Sequence, residues 1–372
     1  MDKEKSSTCE QEHREVIDQA LAFLSTLDDN ECWRIGYNYP SILTDPTVSK
    51  ALLVHLSDLG GLDQSVAAEI DIDSPLLKTF ALLVMTNIDH GADKYEYIKS
   101  LKDPVCLSYT SWCMTVLENS CPKKIHKILL LNDDHGICKR FDLEGDAMMR
   151  AENIDGIPKL LDRVGHNKVY ELKVLVIEYL EGKTLFEIKD ELSFSQKIKV
   201  ICEVLRIIGG LHNVGIIHRD LKPGNIMVSA DLSVGVIDLG IMRLRENHPD
   251  ITMAGHSVGT PAYLSPEQAL CKKVDERSDI YNIGVSLYEI IAGELPFKAK
   301  NNQYLIWERQ IEYAPEAVCE HRGSNIDTDL VSILQKALAK DKHERYQTAD
   351  EFRKDLQRFL IKIKIESQKS QI

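Results

Sequence analysis

The sequence predicts an α+β chain: an all-α first third, then a small strand-rich lobe and a large helical lobe. Three observations carry this prediction. From Val16 to about Asn119 apolar residues recur at helical spacing, as in Val16, Ile17, Ala20, Leu21, Phe23, Leu24 and Leu27, with little strand-like alternation. After Cys121-Pro122, short apolar runs separated by turn residues take over. Helical periodicity returns over Ser195–His212 and dominates from Asp279 to Leu360. The expected divisions are a helical domain at 1–120, a second domain at 121–362 that passes from its small to its large lobe at about 180, and a polar tail at 363–372.

A chain of 372 residues holds two or three units, each large enough to bury a core. Apolar residues make up 44% and charged residues 28%, which excludes a mostly disordered or fibrous chain. The net charge is −13, and twenty acidic residues face nine basic ones before position 121. Such a surface repels phosphate backbones and anionic lipid, so neither nucleic acid nor a membrane is an expected partner. The nine cysteines are odd in number and form no C-x-x-C pair, which argues against a disulfide framework or a zinc site. No apolar run approaches the ~18 residues needed to cross a bilayer. A reducing, cytoplasmic setting is expected.

Within the first region Pro46, Pro75 and Pro104 are spaced by 29 residues, and each follows a capping Asp45, Ser74 or Asp103. Five, ten and thirteen residues after each proline come apolar or aromatic positions, ending with Tyr109, Met114 and Leu117. Two readings stay open. One is a stack of short HEAT-like helical repeats over 44–120, offering a surface to a protein partner; the other is three unrelated helices that each begin with proline. Beyond Pro122, Lys127–Leu131, the turn Asn132-Asp133-Asp134-His135-Gly136 and Ile137–Phe141 predict a β-hairpin, and Lys173–Glu178 another strand.

The sharpest chemical signal is His218-Arg219-Asp220-Leu221-Lys222-Pro223-Gly224-Asn225, between a helix ending at His212 and the strand-like Ile226-Met227-Val228. It resembles the catalytic loop of protein kinases. Asp238-Leu239-Gly240 resembles the family's D-F-G, and Gly259-Thr260-Pro261-Ala262-Tyr263-Leu264-Ser265-Pro266-Glu267 resembles the end of its activation segment, with Ser-Pro-Glu for Ala-Pro-Glu. Gly259–Glu267 and Arg277–Glu289 look especially like bacterial Ser/Thr protein kinases, and the resemblance runs over about 121–362. It implies a bilobal, kinase-like fold and an ATP-dependent Ser/Thr kinase that uses Mg²⁺, with Mn²⁺ as an alternative, on protein hydroxyls.

By that resemblance Asp220 accepts the hydroxyl proton and Lys222 neutralises charge on the moving phosphoryl group, while Asn225 and Asp238 hold metal. Glu267 pairs with Arg345, Asp279 braces the catalytic loop, and Glu178 and Leu180 belong to the segment that binds adenine. Arg219 implies regulation by a phosphate on Thr252 or Ser257, whereas Thr260 contacts Asp220 and Lys222. Ile137-Cys138-Lys139 takes the place of V-A-I-K, which makes Lys139 the nucleotide lysine. Its glutamate partner is Glu144 or Glu152, with Glu144 preferred from its distance to Gly156-Ile157-Pro158.

One departure stands out. There is no glycine between Trp112 and Leu131, where a G-x-G-x-x-G loop is expected over the phosphates, and Lys123 and Lys124 fall about where that loop should turn. The competing readings are therefore a pseudokinase that signals through its helical first third, and a kinase acting on a small molecule. Gly259–Glu267, a peptide-docking platform in protein kinases, disfavours the second.

Overall fold

A computed structural model describes residues 97–98, 100–102, 105–109, 113–129, 135–165, 173–239, 261–270, 272–297 and 327–369. Pro46 and Pro75, with the helices expected after them, lie outside the described residues. The chain divides into two compact units, residues 1–142 with 160–179 and residues 143–159 with 180–372.

The first unit is built on a five-stranded antiparallel sheet, in the order β1 (Val105–Tyr109), β2 (Cys113–Glu118), β3 (Lys124–Leu129), β5 (Val174–Glu178), β4 (Leu160–Val164). β5 reads Val-Leu-Val-Ile without alternation because both of its faces are covered, and all four side chains are buried. Helix α1 (His135–Arg150) begins in this unit with Phe141 fully buried. Asp142 ties the helix to the sheet: its carboxylate accepts from Lys173 Nζ at 2.6 Å, and its carbonyl accepts from Arg163 at 2.6 Å.

This sheet corrects two expectations. Pro104 does not open a helix; Val105–Tyr109 pairs with β2 in a register that sets Tyr109 opposite Met114, so the sheet begins at 105 rather than after 121. Cross-strand pairing overrode a helix-start signal that was only local. The hairpin expected over 127–141 is absent, since Ile137–Phe141 forms the first turns of α1. Asn132, Asp133 and Asp134 suit a turn and a helix N-terminus equally, and the burial of Phe141, Glu144, Ala147 and Met148 at helical spacing shows which applies. Lys124 is the first residue of β3, and the exposed Lys123 just before it sits with Nζ 5.3 Å from the centre of the Tyr179 ring.

The second unit contains a small sheet, β6 (Lys183–Thr184), β7 (Ile226–Val228) and β8 (Val234–Val236), and the helices α2 (Leu185–Ile188), α3 (Phe194–Asn213), α4 (Pro266–Ala269), α5 (Glu276–Ala292), α6 (Thr328–Ala337) and α7 (Ala349–Lys369). Ser193 and Gln196 cap α3 reciprocally, and its apolar residues from Ile198 to Leu211 repeat every three or four positions. Helix α5 is buried on every side from Ser278 to Ile291, which marks it as the centre of the unit. The absence of a Cβ on Gly235 leaves room for Leu180, whose Cδ1 would lie 2.4 Å from one. No described helix is long and apolar enough to cross a membrane.

The expected pair of Glu267 and Arg345 is present and buried. Arg345 donates to Glu267 Oε1 at 2.7 Å and Oε2 at 2.9 Å, and to the carbonyls of Ala339, Arg277 and Lys340. All five of its N–H groups are used. Burial pushes the Glu267 carboxyl up, but the arginine fork and Ser278 hold it below the usual range. Arg345→Lys, which keeps the charge and loses the fork, should destabilise the protein by about 3–5 kcal/mol in urea unfolding. Wild-type stability in that variant would show the pair to be incidental.

Candidate active site

The site is organised from below by Asp279, a fully buried carboxylate in the first turn of α5. Its Oδ2 accepts from the backbone N–H of His218 at 2.9 Å and from His212 Nε2 at 2.8 Å, and its Oδ1 accepts from the N–H of Arg219 at 2.7 Å. A buried charge is tolerable only when so satisfied. The carboxylate also sits where the α5 dipole favours negative charge.

This brace permits an unusual backbone. Arg219 has φ of 69°, in the left-handed region that a long side chain seldom enters. Its N–H is held by Asp279, and its carbonyl accepts from Gln268 Nε2 at 2.8 Å. The turn delivers Asp220, whose Oδ2 accepts from Asn225 Nδ2 at 2.7 Å and lies 3.6 Å from Lys222 Nζ. The same Asn225 amide nitrogen donates to the Asp220 carbonyl at 2.8 Å. With its NH₂ group committed to Asp220, the amide keeps Oδ1 as its acceptor.

Asp238 reaches the same end of the β7–β8 hairpin. Ile226 pairs with Val236, and the Ile237 N–H donates to the Asn225 carbonyl at 3.0 Å, so Asp238 is one residue beyond a backbone bond to the 218–225 loop. Its φ is 60°, a second strained position. An amide oxygen and a carboxylate are hard donors suited to Mg²⁺, which is commonly held by one or two protein groups together with substrate phosphates. No cluster of three His, Cys, Asp or Glu that would bind metal alone exists among the described residues.

His218 links the two loops. Its Nε2 donates to the Ile237 carbonyl at 3.2 Å, and its Nδ1 accepts from the Asp220 N–H at 3.4 Å. The second contact requires the neutral ring, and burial holds its pKa below the ordinary 6.5.

Other expected residues divide clearly. Glu144 lies on α1, buried and partnered, whereas Glu152 is exposed beyond the end of that helix. Glu178 ends β5, half-buried, and Leu180 packs on Gly235. Lys139 is exposed on α1 instead of lying on a strand, because the residues around it are helical. Thr252, Ser257 and Thr260 lie outside the described residues. Three supports escaped the sequence reading: His212, Gln268 and Asn282, which donates to the Tyr263 carbonyl at 2.6 Å and to Gln268 Oε1 at 3.1 Å. Gln268 had a signal, as the N3 residue of the Ser265 capping box.

The neutral His218 sets a pH dependence. Its folded pKa lies below its unfolded one, so stability is full above about pH 6.5. Below that the unfolded chain takes up a proton that the native one refuses, and stability falls. Urea unfolding should show a slope of up to about 1.4 kcal/mol per pH unit from this proton, reduced by that amount in His218→Phe. An unchanged slope in the variant would contradict the assignment.

Comparison with known proteins agrees with this geometry. Residues 134–356 match the family model described as the protein kinase domain. The chain is 40% identical over 188 residues to the serine/threonine-protein kinase PknB of Mycobacterium leprae (strain TN), covering 50% of this chain and 30% of that protein. It is 36% identical over 250 residues to the probable PknB of Bifidobacterium longum, covering 65% and 36%. To pkn3 of Myxococcus xanthus it is 32% identical over 244 residues, covering 63% and 44%. It thus spans less than half the length of these curated relatives. Matched over more than half of its own length, the chain belongs to the protein kinase family and resembles its bacterial Ser/Thr members.

Proposed function

We propose that the chain is an ATP- and Mg²⁺-dependent Ser/Thr protein kinase. The observation that carries this reading is the fixed Asn225, whose side-chain nitrogen holds Asp220 and whose backbone carbonyl accepts from Ile237, the residue before Asp238. A bound metal would neutralise phosphate charge, and Mn²⁺ would satisfy the same oxygen donors. Asp220 orients the acceptor hydroxyl and takes its proton, and Lys222 steadies the transferred phosphoryl group. Asn225 and Asp238 hold metal.

The nucleotide lysine is reassigned. In this family it lies on the third strand of the small sheet, and here that strand is β3, where Lys127 pairs in register with Leu175 of β5. Lys127 takes the role expected of Lys139, and Glu144 remains the helix glutamate. Regulation by autophosphorylation of Thr252 or Ser257 is supported by Arg219, whose Nε is buried without a partner. An unmodified 238–267 segment in a fully active preparation would sink that regulation.

A second reading, a scaffold that transfers no phosphate, is favoured by one observation: the β1–β2 connection, 110–112, contains no glycine. Radiolabelled transfer to the protein itself or to a generic basic protein separates the two. Asp220→Asn should lower transfer on the order of 10²–10⁴-fold with nucleotide binding retained. Lys127→Met should lower it on the order of 10²-fold, and Lys139→Met should not. No transfer, and no thermal shift with Mg-ATP, would favour the scaffold.

A further inference from the structure

The segment preceding β1 is part of the small sheet's construction, although the kinase family match begins only at 134. Ile98 is fully buried, and the Tyr97 hydroxyl lies 2.9 Å from His126 Nδ1 on β3, with the two rings edge to face at 5.8 Å. The other nitrogen, His126 Nε2, lies 3.1 Å from Glu118 Oε2 on β2. Glu118 Oε1 accepts from the Lys102 N–H at 3.3 Å, and the Lys102 carbonyl accepts from the Asn119 N–H at 2.9 Å. One chain of hydrogen bonds therefore runs from the leading segment through β3 to β2.

The chemistry fixes its direction. Glu118, held below the usual carboxylate range against its own burial by His126 and the Lys102 amide, can only accept, so Nε2 carries the proton. Burial holds His126 below its ordinary pKa and thus neutral, which leaves Nδ1 to accept from the Tyr97 hydroxyl. Both ring nitrogens of a buried histidine are satisfied, and one of the two partners comes from outside the sheet.

Adjacent residues on a strand face opposite sides. His126 is gripped on one face of β3, and Lys127 projects from the other. We propose that Tyr97, acting through His126, is a positioning residue for nucleotide binding: it fixes the strand that presents Lys127, in a small lobe whose first hairpin has no glycines to shape a phosphate cover. This rests on the assignment of Lys127 as the nucleotide lysine.

The test uses the full chain, with ATP affinity and turnover measured separately. Tyr97→Phe keeps the ring contact and removes only the hydroxyl. It should raise the Kd and KM for Mg-ATP about fivefold, the share of one buried hydrogen bond, and leave kcat at saturating ATP unchanged. His126→Gln should do the same, and the double variant should be no worse than His126→Gln alone, since both remove one link. A Tyr97→Phe protein that melts lower yet binds ATP as the wild type does would show a merely structural contact and overturn the proposal. Lys127→Met, measured alongside, separates the two levels. If it weakens ATP binding while Tyr97→Phe does not, the lysine assignment stands and the positioning role falls; if it binds ATP normally, both fall.

Discussion

The structure of the site depends on one buried carboxylate accepting two consecutive backbone amides. Asp279 takes the N–H groups of His218 and Arg219, and without such an acceptor the left-handed turn at Arg219 would carry a cost of order 1–3 kcal/mol together with unsatisfied buried donors. Everything downstream is set by that turn. It aims Asp220 at Asn225, and Asn225 in turn holds Ile237 and hence the approach to Asp238.

Helix α5 distributes this control more widely. Besides Asp279, α5 buries Ser278, Asn282, Ser286 and Glu289, which recur every three or four positions as a polar stripe. Ser278 donates to Glu267, Asn282 binds the Tyr263 carbonyl and Gln268, and Glu289 accepts from the Tyr263 hydroxyl at 2.5 Å and from Lys189 at 2.9 Å. Gln268 then closes the circuit by donating to the Arg219 carbonyl. Residues 263–268 and the 218–225 loop thus share hydrogen-bonding partners on one buried helix.

The large lobe was legible in the sequence because its chemistry is local. Residues 218–225 form one loop, Asp238 follows a short apolar strand, and Glu267 and Asp279 each sit in the first turn of a helix, where their acidity is physically at home. The small lobe was not. Its strands are short, its register is set by partners distant in sequence, and no glycine marks the first hairpin. Asn132-Asp133-Asp134 speaks equally for a turn and a cap, and reading it as a turn puts Ile137–Phe141, with Lys139, on a strand where the chain is helical. The preference for Glu144 rests on its distance to the following Gly156-Ile157-Pro158, which does not depend on what precedes it, and Glu144 lies buried on α1. His212 and Asn282 carried no signal, since a histidine near a helix end and an asparagine inside an apolar helix acquire meaning only from the carboxylate and carbonyls that the fold brings to them.

The most direct measurement of the central constraint is amide hydrogen exchange at His218 and Arg219, in the wild type and in Asp279→Asn. The account predicts that both amides are strongly protected in the wild type. In the variant, whose amide nitrogen cannot accept, they should exchange faster by about tenfold or more, the share of a hydrogen bond to a charged group, while the α5 amides stay protected. Equal exchange at the two positions in both proteins, with the fold intact, would contradict it.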